Sequence, residues 1–314
     1  MRACVDIGGT KIAVSLAADG ESLDGSPRPL LGRRSEPTAK TGDNLAVSRQ
    51  ILRMVDEVCA EQGIGAEAVR RAGVSSAGPF VIRAGALELA TPNICGGMAG
   101  PARGLPNNWM TAPIEQPLRQ RFDVVRVEND AVGALEAERR WGALKGVDHC
   151  AYVTWSTGIG VGICVDGRVL RGKNGNAGHS GHSFVVDDDT NALCGCGNVG
   201  DVEGLVAGNA IARRFGLPAE QLFPAAVAGD PAALARVDEL CRVMGRMLYN
   251  LVATLDLERI SLGGSVFWNN RAFLLPRLQA EIKGKLPSLT EGVTLEPAGL
   301  GDKVGDYAAL ALLD

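Results

Sequence analysis

The sequence lacks what several large protein classes require. No apolar run approaches the roughly 18 residues that would span a bilayer. The opening MRACVDIGGT has an acidic residue and a glycine pair by residue 9, so it does not read as a signal peptide. A formal net charge of −4 offers no basic surface to a polyanion, which argues against nucleic-acid binding. Eight cysteines in 314 residues are too few and too scattered for a disulfide framework. Only Cys194 and Cys196 are close neighbours; Cys4, Cys59, Cys95, Cys150, Cys164 and Cys241 sit singly in apolar contexts, as buried thiols in a reducing compartment do. No G-x-x-x-x-G-K-[ST] occurs, which excludes a P-loop. Gly158, Gly160 and Gly162 lead into a strand rather than a helix, which excludes the dinucleotide fingerprint. With 46% hydrophobic and 22% charged residues, the chain reads as a cytoplasmic globular protein of up to two domains.

Glycine is the informative excess, 41 residues gathered in clusters. Residues 2–20, RACVDIGGTKIAVSLAADG, read as a strand, a Gly-Gly turn, a second strand and a hairpin turn at Asp19-Gly20. Residues 151–167, AYVTWSTGIGVGICVDG, repeat that plan and turn again at Asp166-Gly167. Two strand–turn–strand units nearly half a chain apart point to a duplicated domain. Helical patterns lie between them. Leu45, Ile51, Leu52, Val55 and Val58 mark an amphipathic helix over 43–62. Residues 130–141 open a second helix on Asp130, and 201–215 a third behind Asp201, a good N-cap type. The longest, 231–255, starts on Pro231. The short strand ERISLGG and a helix near 271–285 follow. Residues 93–109, NICGGMAGPARGLPNNW, have no period and read as a long surface loop. The alternation predicts an α/β fold of two domains with a cleft between them.

A glycine turn between antiparallel strands lets backbone N–H groups approach an anion. In DIGGTK, Asp6 could face a Mg²⁺ shell while Gly8, Gly9, Thr10 and Lys11 supply amides, a hydroxyl and a positive charge. Ser156 and Thr157 beside Gly158 and Gly160 repeat the pattern. The competing reading is that both are hairpin glycines selected for positive φ. Residues 124–132, VVRVENDAV, run from a strand into a helix, placing Glu128, Asn129 and Asp130 at the ligand-facing edge of an α/β sheet. There a carboxylate can take a proton from a hydroxyl attacking a γ-phosphate, while Asn129 pairs with hydroxyls. Alternatively Asp130 simply caps the helix.

DIGGTK, then AGP (77–79), TPN (91–93), VENDA (127–131), STGIG (156–160), GNAGHSGH (175–182), CGCGNVGDVE (194–203) and LGGSV (262–266) occur in one order over essentially the whole chain. That series resembles the ROK family of sugar kinases and sugar-responsive repressors, within the actin-like (ribonuclease H-like) ATPase fold. The resemblance implies an N-terminal domain near 1–127 and a C-terminal domain near 128–314, with the last helix packing back on the first. It implies ATP and Mg²⁺, with DIGGTK and STGIG as phosphate loops and Gly263-Gly264 bordering the adenosine. Asp130 becomes the general base. Asn93, Asn129, His182 and Glu203 fall on positions that contact a sugar or shape its pocket. A homodimer is common in similar kinases, although no dimer face is legible. The repressor branch carries a DNA-binding helix-turn-helix ahead of this body; with the first phosphate loop at Asp6, none is expected. A sugar-binding sensor without DNA contact is the non-enzymatic alternative.

Two positions depart from the family pattern. Similar members carry E-x-G-H, then C-x-C-G-x-x-G-C-x-E, and hold zinc with the histidine and three cysteines. Here the first motif is His179-Ser180-Gly181-His182, and the second has Asp201 in place of the third cysteine. A carboxylate is an acceptable ligand, so His182, Cys194, Cys196 and Asp201 could still form a four-coordinate Zn²⁺ site. Asp201 could instead serve only as a helix cap. His179 stands where the glutamate pairs with hydroxyls near the anomeric carbon. A neutral imidazole offers one donor and one acceptor where a carboxylate only accepts. That predicts an acceptor altered around C1 or C2 relative to glucose: a 2-acetamido sugar, a ketose or a cyclitol, with the loop 94–108 near the same pocket. If His179 replaces glutamate isofunctionally, ordinary glucose phosphorylation remains.

Overall fold

Two five-stranded sheets of identical plan carry the chain. The structure is a computed structural model and describes residues 1–20, 22–99, 104–186 and 192–313. It divides into two compact units, residues 1–141 with 171–177 and 305–314, and residues 142–170 with 178–304. The division after the helix Asp130–Trp141 keeps Asn129 and Asp130 with the first unit and differs from the 127/128 boundary expected from the family pattern.

In the first unit the strands are β1 (Arg2–Ile7), β2 (Lys11–Ala17), β3 (Leu31–Pro37), β4 (Arg71–Ser76), β5 (Phe80–Arg83), β6 (Ala86–Leu89), β7 (Ala112–Pro113) and β8 (Val124–Asn129). The main sheet runs β3-β2-β1-β4-β8, with β1 antiparallel to β2 and parallel to β4. Strands β5, β6 and β7 form a small sheet that the apolar pattern had not disclosed. The helix Ala46–Glu61 buries Val47, Ile51, Met54, Val55 and Val58 at helical spacing, joining the core under β1 and β2.

The second unit repeats the plan with β9 (Cys150–Trp155), β10 (Ile159–Val165), β11 (Arg168–Val169), β12 (Arg259–Gly263) and β13 (Thr294–Pro297), ordered β11-β10-β9-β12-β13. Here too the hairpin strands are antiparallel and the next two parallel. This is the actin-like ATPase fold, and the duplication expected from the two glycine turns is present in the sheet order. Asp166 and Gly167, both with positive φ, make the two-residue turn between β10 and β11. The helix Pro231–Leu255 has the expected bounds because Asp230 caps it, accepting from the Ala233 amide at 2.7 Å, and Pro231 occupies its first turn. Its buried Val237, Leu240, Met244, Leu248 and Leu251 fill the unit's core.

Four expectations need correction. No tight hairpin forms at Asp19-Gly20: the buried Arg2 guanidinium takes the carbonyls of Ala18 and Gly20, and β3 begins only at Leu31. The helix expected over 201–215 is two helices, Val202–Val206 and Gly208–Phe215, parted by extended Ala207. The helix placed near 271–285 is Ser265–Ile282, with a kink at Asn270. The segment 93–109 is no open surface loop: Ile94, Cys95 and Trp109 are buried, and Gly96–Ala99 is helical. Residues 100–103 of that segment lie outside the described residues. No helix among the described residues is long and apolar enough to cross a membrane.

Candidate active site

In the first unit the glycine turn joins β1 to β2 and closes with the Gly8 amide on the Lys11 carbonyl at 2.9 Å. Gly8 and Gly9 do not have positive φ, so the hairpin explanation for these glycines fails. Gly9 is glycine for space: a Cβ there would lie 2.6 Å from the Asn93 Cβ. The predicted Asn93 therefore packs directly on the predicted phosphate turn. Thr38, which sequence reasoning missed, braces the turn from the other side. Its amide donates to the Thr10 carbonyl at 3.0 Å and its hydroxyl to the Gly8 carbonyl at 2.7 Å. Asp6, at the end of β1, is pushed above the usual carboxylate range by burial, with Arg33 and Lys11 pulling back. A cation-seeking carboxylate beside the turn fits a Mg²⁺ shell by donor type.

Asn129 ends β8 and is buried, and Asp130 starts the next helix and is exposed. Both side-chain oxygens reach the Ala131 amide, Asn129 Oδ1 at 3.0 Å and Asp130 Oδ1 at 2.8 Å. The buried asparagine thus offers that amide a second acceptor beside Asp130. Glu128 on the same strand is pushed up by burial, and the hydrogen-bonded Arg171 guanidinium pulls it back.

In the second unit the predicted residues gather around the turn between β9 and β10. Gly158 also lacks positive φ; a Cβ there would lie 2.7 Å from Glu203 Oε2. That oxygen accepts from the Ile159 amide at 2.9 Å, while Oε1 lies 3.4 Å from Cys194 Sγ. Glu203 therefore connects the turn to the cysteine loop. Ser156 is held through its carbonyl by the Gly208 amide at 2.8 Å, which uses the donor exposed by the helix break at Ala207. Thr157 is exposed at the tip, and Gly160 lies in β10. Gly263 ends β12 under the Tyr152 hydroxyl, and Gly264, at φ +84°, approaches the Trp155 carbonyl where a Cβ would sit at 2.5 Å. The adenosine-motif glycines and the second turn thus share one strand end.

His182, Cys194, Cys196 and Asp201 converge, their ligand atoms all within 4.8 Å of one another. Asp201 Oδ2 lies 3.1 Å from His182 Nδ1 and 3.5 Å from Cys196 Sγ, and Cys194 Sγ is 3.6 Å from His182 Nδ1. Metal bonds of about 2.0–2.3 Å in a tetrahedron give edges of about 3.3–3.8 Å; the separations of 3.1, 3.5 and 3.6 Å come near them, and the donor set fits a zinc ion in chemistry. Asp201 is a cap, and it is also placed where a metal ligand would have to be. Its Oδ1 accepts from the Gly204 amide at 2.7 Å as a cap, while Oδ2 faces the cluster. The hydrogen bond to Asp201 holds the His182 pKa above its ordinary value despite burial. Burial drives the Cys194 thiol well up, and Glu203 adds to it. His179 is half-buried, its ring centroid 6.0 Å from that of His182. Gly178 and Gly181 let this histidine turn lie flat on β10; Cβ atoms there would stand 2.0 Å and 2.5 Å from the carbonyls of Val161 and Ile159.

A ROK family model matches residues 2–314. The chain belongs to the ROK family. It is similar to a glucokinase of Aeropyrum pernix, 26% identical over 98% of this chain and 95% of that one. It is also similar to an N-acetylmannosamine kinase of Escherichia coli, 32% identical over 83% of this chain and 82% of the relative. Among solved structures, a ROK family glucokinase from Streptomyces griseus in complex with glucose and AMPPNP matches with TM-score 0.69 and 27% identity, over 98% of this chain and 97% of that chain. Thr38 and Arg171 carry no motif of their own, and their contacts with the site span 28 or more positions, so no local pattern announced them.

Proposed function

We propose that this ROK protein is an ATP-dependent sugar kinase whose acceptor is a hexose altered at C1 or C2, with a 2-acetamido sugar the favoured class. The observation that carries the acceptor is His179, in the turn pressed on β10 beside His182, where similar sequences place an acceptor-only glutamate. An imidazole N–H can donate to an acetamido carbonyl, which a carboxylate cannot do. The likeness to N-acetylmannosamine kinases supports the same class. A second reading, plain glucose, has the Aeropyrum glucokinase behind it.

In the first unit, Asp130 takes the proton of a primary hydroxyl as its oxygen bonds to the γ-phosphorus of ATP and ADP departs. Asn93 and Asn129 pair with acceptor hydroxyls. The amides of Gly8 and Gly9, the Thr10 hydroxyl and Lys11 hold phosphate oxygens, and Asp6 would take part in the shell of Mg²⁺, which would offset the triphosphate charge. In the second unit, Ser156, Thr157, Gly158 and Gly160 hold phosphate and Gly263-Gly264 borders the adenosine. His179, His182 and Glu203 meet the acceptor. Zinc on His182, Cys194, Cys196 and Asp201 would be structural, fixing the imidazole through Nδ1.

One assay tests the reading: ADP release across glucose, 2-acetamido hexoses, ketoses and cyclitols, with wild type and Asp130→Asn. The expected result is the highest kcat/KM on a 2-acetamido hexose. Asp130→Asn should fall by about 10²–10⁴-fold in kcat with acceptor binding retained. Glucose ranking first would overturn the acceptor class, and an unchanged Asp130→Asn would overturn the base. Metal analysis of protein purified without added zinc should return about one zinc per chain; a value near zero removes the zinc assignment.

A further inference from the structure

The segment 93–109 read as a patternless loop, and its described parts on either side of residues 100–103 are tied together by one side-chain amide. Asn107 Nδ2 donates to the carbonyls of Lys40 and Ile94, both at 3.0 Å. Its Oδ1 accepts from the amides of Gly96 at 2.8 Å and Trp109 at 3.1 Å. Two donors and one twice-used acceptor are the full capacity of a primary amide. Close backbone contact at the same place requires glycine at 96, where a Cβ would lie 1.9 Å from the Asn107 carbonyl oxygen.

Two further bonds join the same stretches of chain. Trp109 Nε1 donates to the Gly42 carbonyl at 3.1 Å, and Asn44 Nδ2 to the Thr111 carbonyl at 3.3 Å. With Asn107 on Lys40 they make three rungs between residues 40–44 and 107–111. Residues 38–44 begin at Thr38, whose two hydrogen bonds grip Gly8 and Thr10 of the glycine turn. The other end of the path, Ile94, directly follows Asn93, which rests on Gly9. The contacts close a ring: glycine turn, Thr38, rungs, Asn107, Ile94, Asn93, and back to the glycine turn. Every member lies in the first unit.

We infer that Asn107 is a positioning residue that sets Asn93 against the glycine turn, and that residues 94–96 and 107–109 build this brace. The inference rests on the proposed reading of Asn93 as an acceptor contact. Its chemistry is that of orientation: holding the acceptor's partner at a fixed distance from the phosphate turn reduces the freedom that must be lost at each turnover. A displaced Asn93 loosens the acceptor directly, while the Thr38 hydroxyl and amide still hold the glycine turn, so the effect falls mainly on one substrate.

The test compares Asn93→Ala, Asn107→Ala, Asn107→Asp and Trp109→Phe, each checked for folding by its melting curve. Kinetics on the preferred acceptor are combined with amide hydrogen exchange on the ligand-free proteins. Asn107→Ala should raise the acceptor KM by about tenfold while the KM for MgATP moves less than about twofold. Asn107→Asp keeps the two accepted bonds but sets a carboxylate oxygen against the carbonyls of Lys40 and Ile94, so it should raise the acceptor KM at least as far as Asn107→Ala. Trp109→Phe removes one rung and should give the smallest change. In Asn107→Ala, exchange at the Thr38 amide should speed up, because the ring is continuous whatever the acceptor is. If Asn93→Ala leaves the acceptor KM unchanged, the reading of Asn93 fails, and exchange at Thr38 still judges the ring. If Asn93→Ala raises that KM and a folded Asn107→Ala does not, the inference is overturned. Equal rises in both KM values, or unchanged exchange at Thr38, also overturn it.

Discussion

The turn at Gly8-Gly9 and the turn at Ser156–Gly158 join the first two strands of sheets with one strand order, and they are braced by different chemistry. Neutral groups hold the first: the Thr38 hydroxyl and amide on one side and the Asn93 side chain on the other. A carboxylate holds the second, and Glu203 uses its other oxygen on Cys194 of the His182–Cys194–Cys196–Asp201 cluster. Duplication copied the backbone plan and left each copy to find its own support. The first turn should be indifferent to metal, while the second is tied to it.

Among changes to the braces of the two turns, the largest expected effect comes from Glu203→Ala. It strips the Ile159 amide of its acceptor, and a stranded donor costs about 1–3 kcal/mol, or about 5–150-fold in kcat/KM for MgATP. Glu203→Gln, which keeps a carbonyl oxygen, should lose less. A change confined to the acceptor KM would break the comparison, since Glu203 would then serve the acceptor and not the turn. Chelating the metal should sharpen it: amide exchange at Ile159 should rise and exchange at Thr38 should not. Equal deprotection of both would show that the metal stabilises the chain generally.

Proton linkage separates the units by pH window. Asp6 has its pKa raised by burial, so the unfolded chain ionises first and stability is lost as pH climbs from the ordinary value of 3.8 through the raised one. Asp6→Asn should therefore melt higher than wild type at neutral pH and lose that advantage in acid, trading MgATP binding for stability. His182 has its pKa raised by the Asp201 hydrogen bond, and Arg or Lys partners play no part in it. In metal-free protein its contribution is complete below the ordinary value of 6.5 and disappears as pH rises through the raised pKa. With metal bound the sign reverses, because ligation requires neutral imidazole and becomes tighter as protons leave. Melting curves across pH with and without zinc measure both. The smallest effect belongs to Thr38→Val, which loses one hydroxyl bond and keeps the amide bond, about 1 kcal/mol or fivefold in the KM for MgATP.

What was legible in the sequence had local causes. Asp230 and Pro231 announce a helix start within two residues, and the Asp166-Gly167 turn is written in its own dipeptide. The cysteine cluster was readable because its spacing is short, although the split duty of Asp201 needed coordinates: two oxygens of one carboxylate face different ways. The rest depended on partners far along the chain. Arg2 taking the Ala18 carbonyl removed an expected hairpin, and the Gly208 amide reaching the Ser156 carbonyl broke an expected helix. In each turn one glycine, Gly9 or Gly158, has a reason that the sequence did not show. These two are needed because Asn93 and Glu203 stand where a Cβ would be, and φ has no part in it.

The division of the chain into units has a consequence for how the protein is made. The first sheet is synthesised before the second, yet it cannot be finished from its own stretch of sequence. Phe80 awaits the Asn176 amide, which it meets through two bonds of 2.8 and 2.7 Å. Gly73 awaits the helix Val304–Ala311, whose Ala309 carbonyl would stand 2.0 Å from a Cβ there, and Arg71 awaits the Leu313 carbonyl. The half synthesised first is completed last, by residues translated after the whole of the second unit. A nascent chain thus carries an unfinished apolar face through most of its synthesis, and cutting the gene after residue 141 removes the pieces that close it.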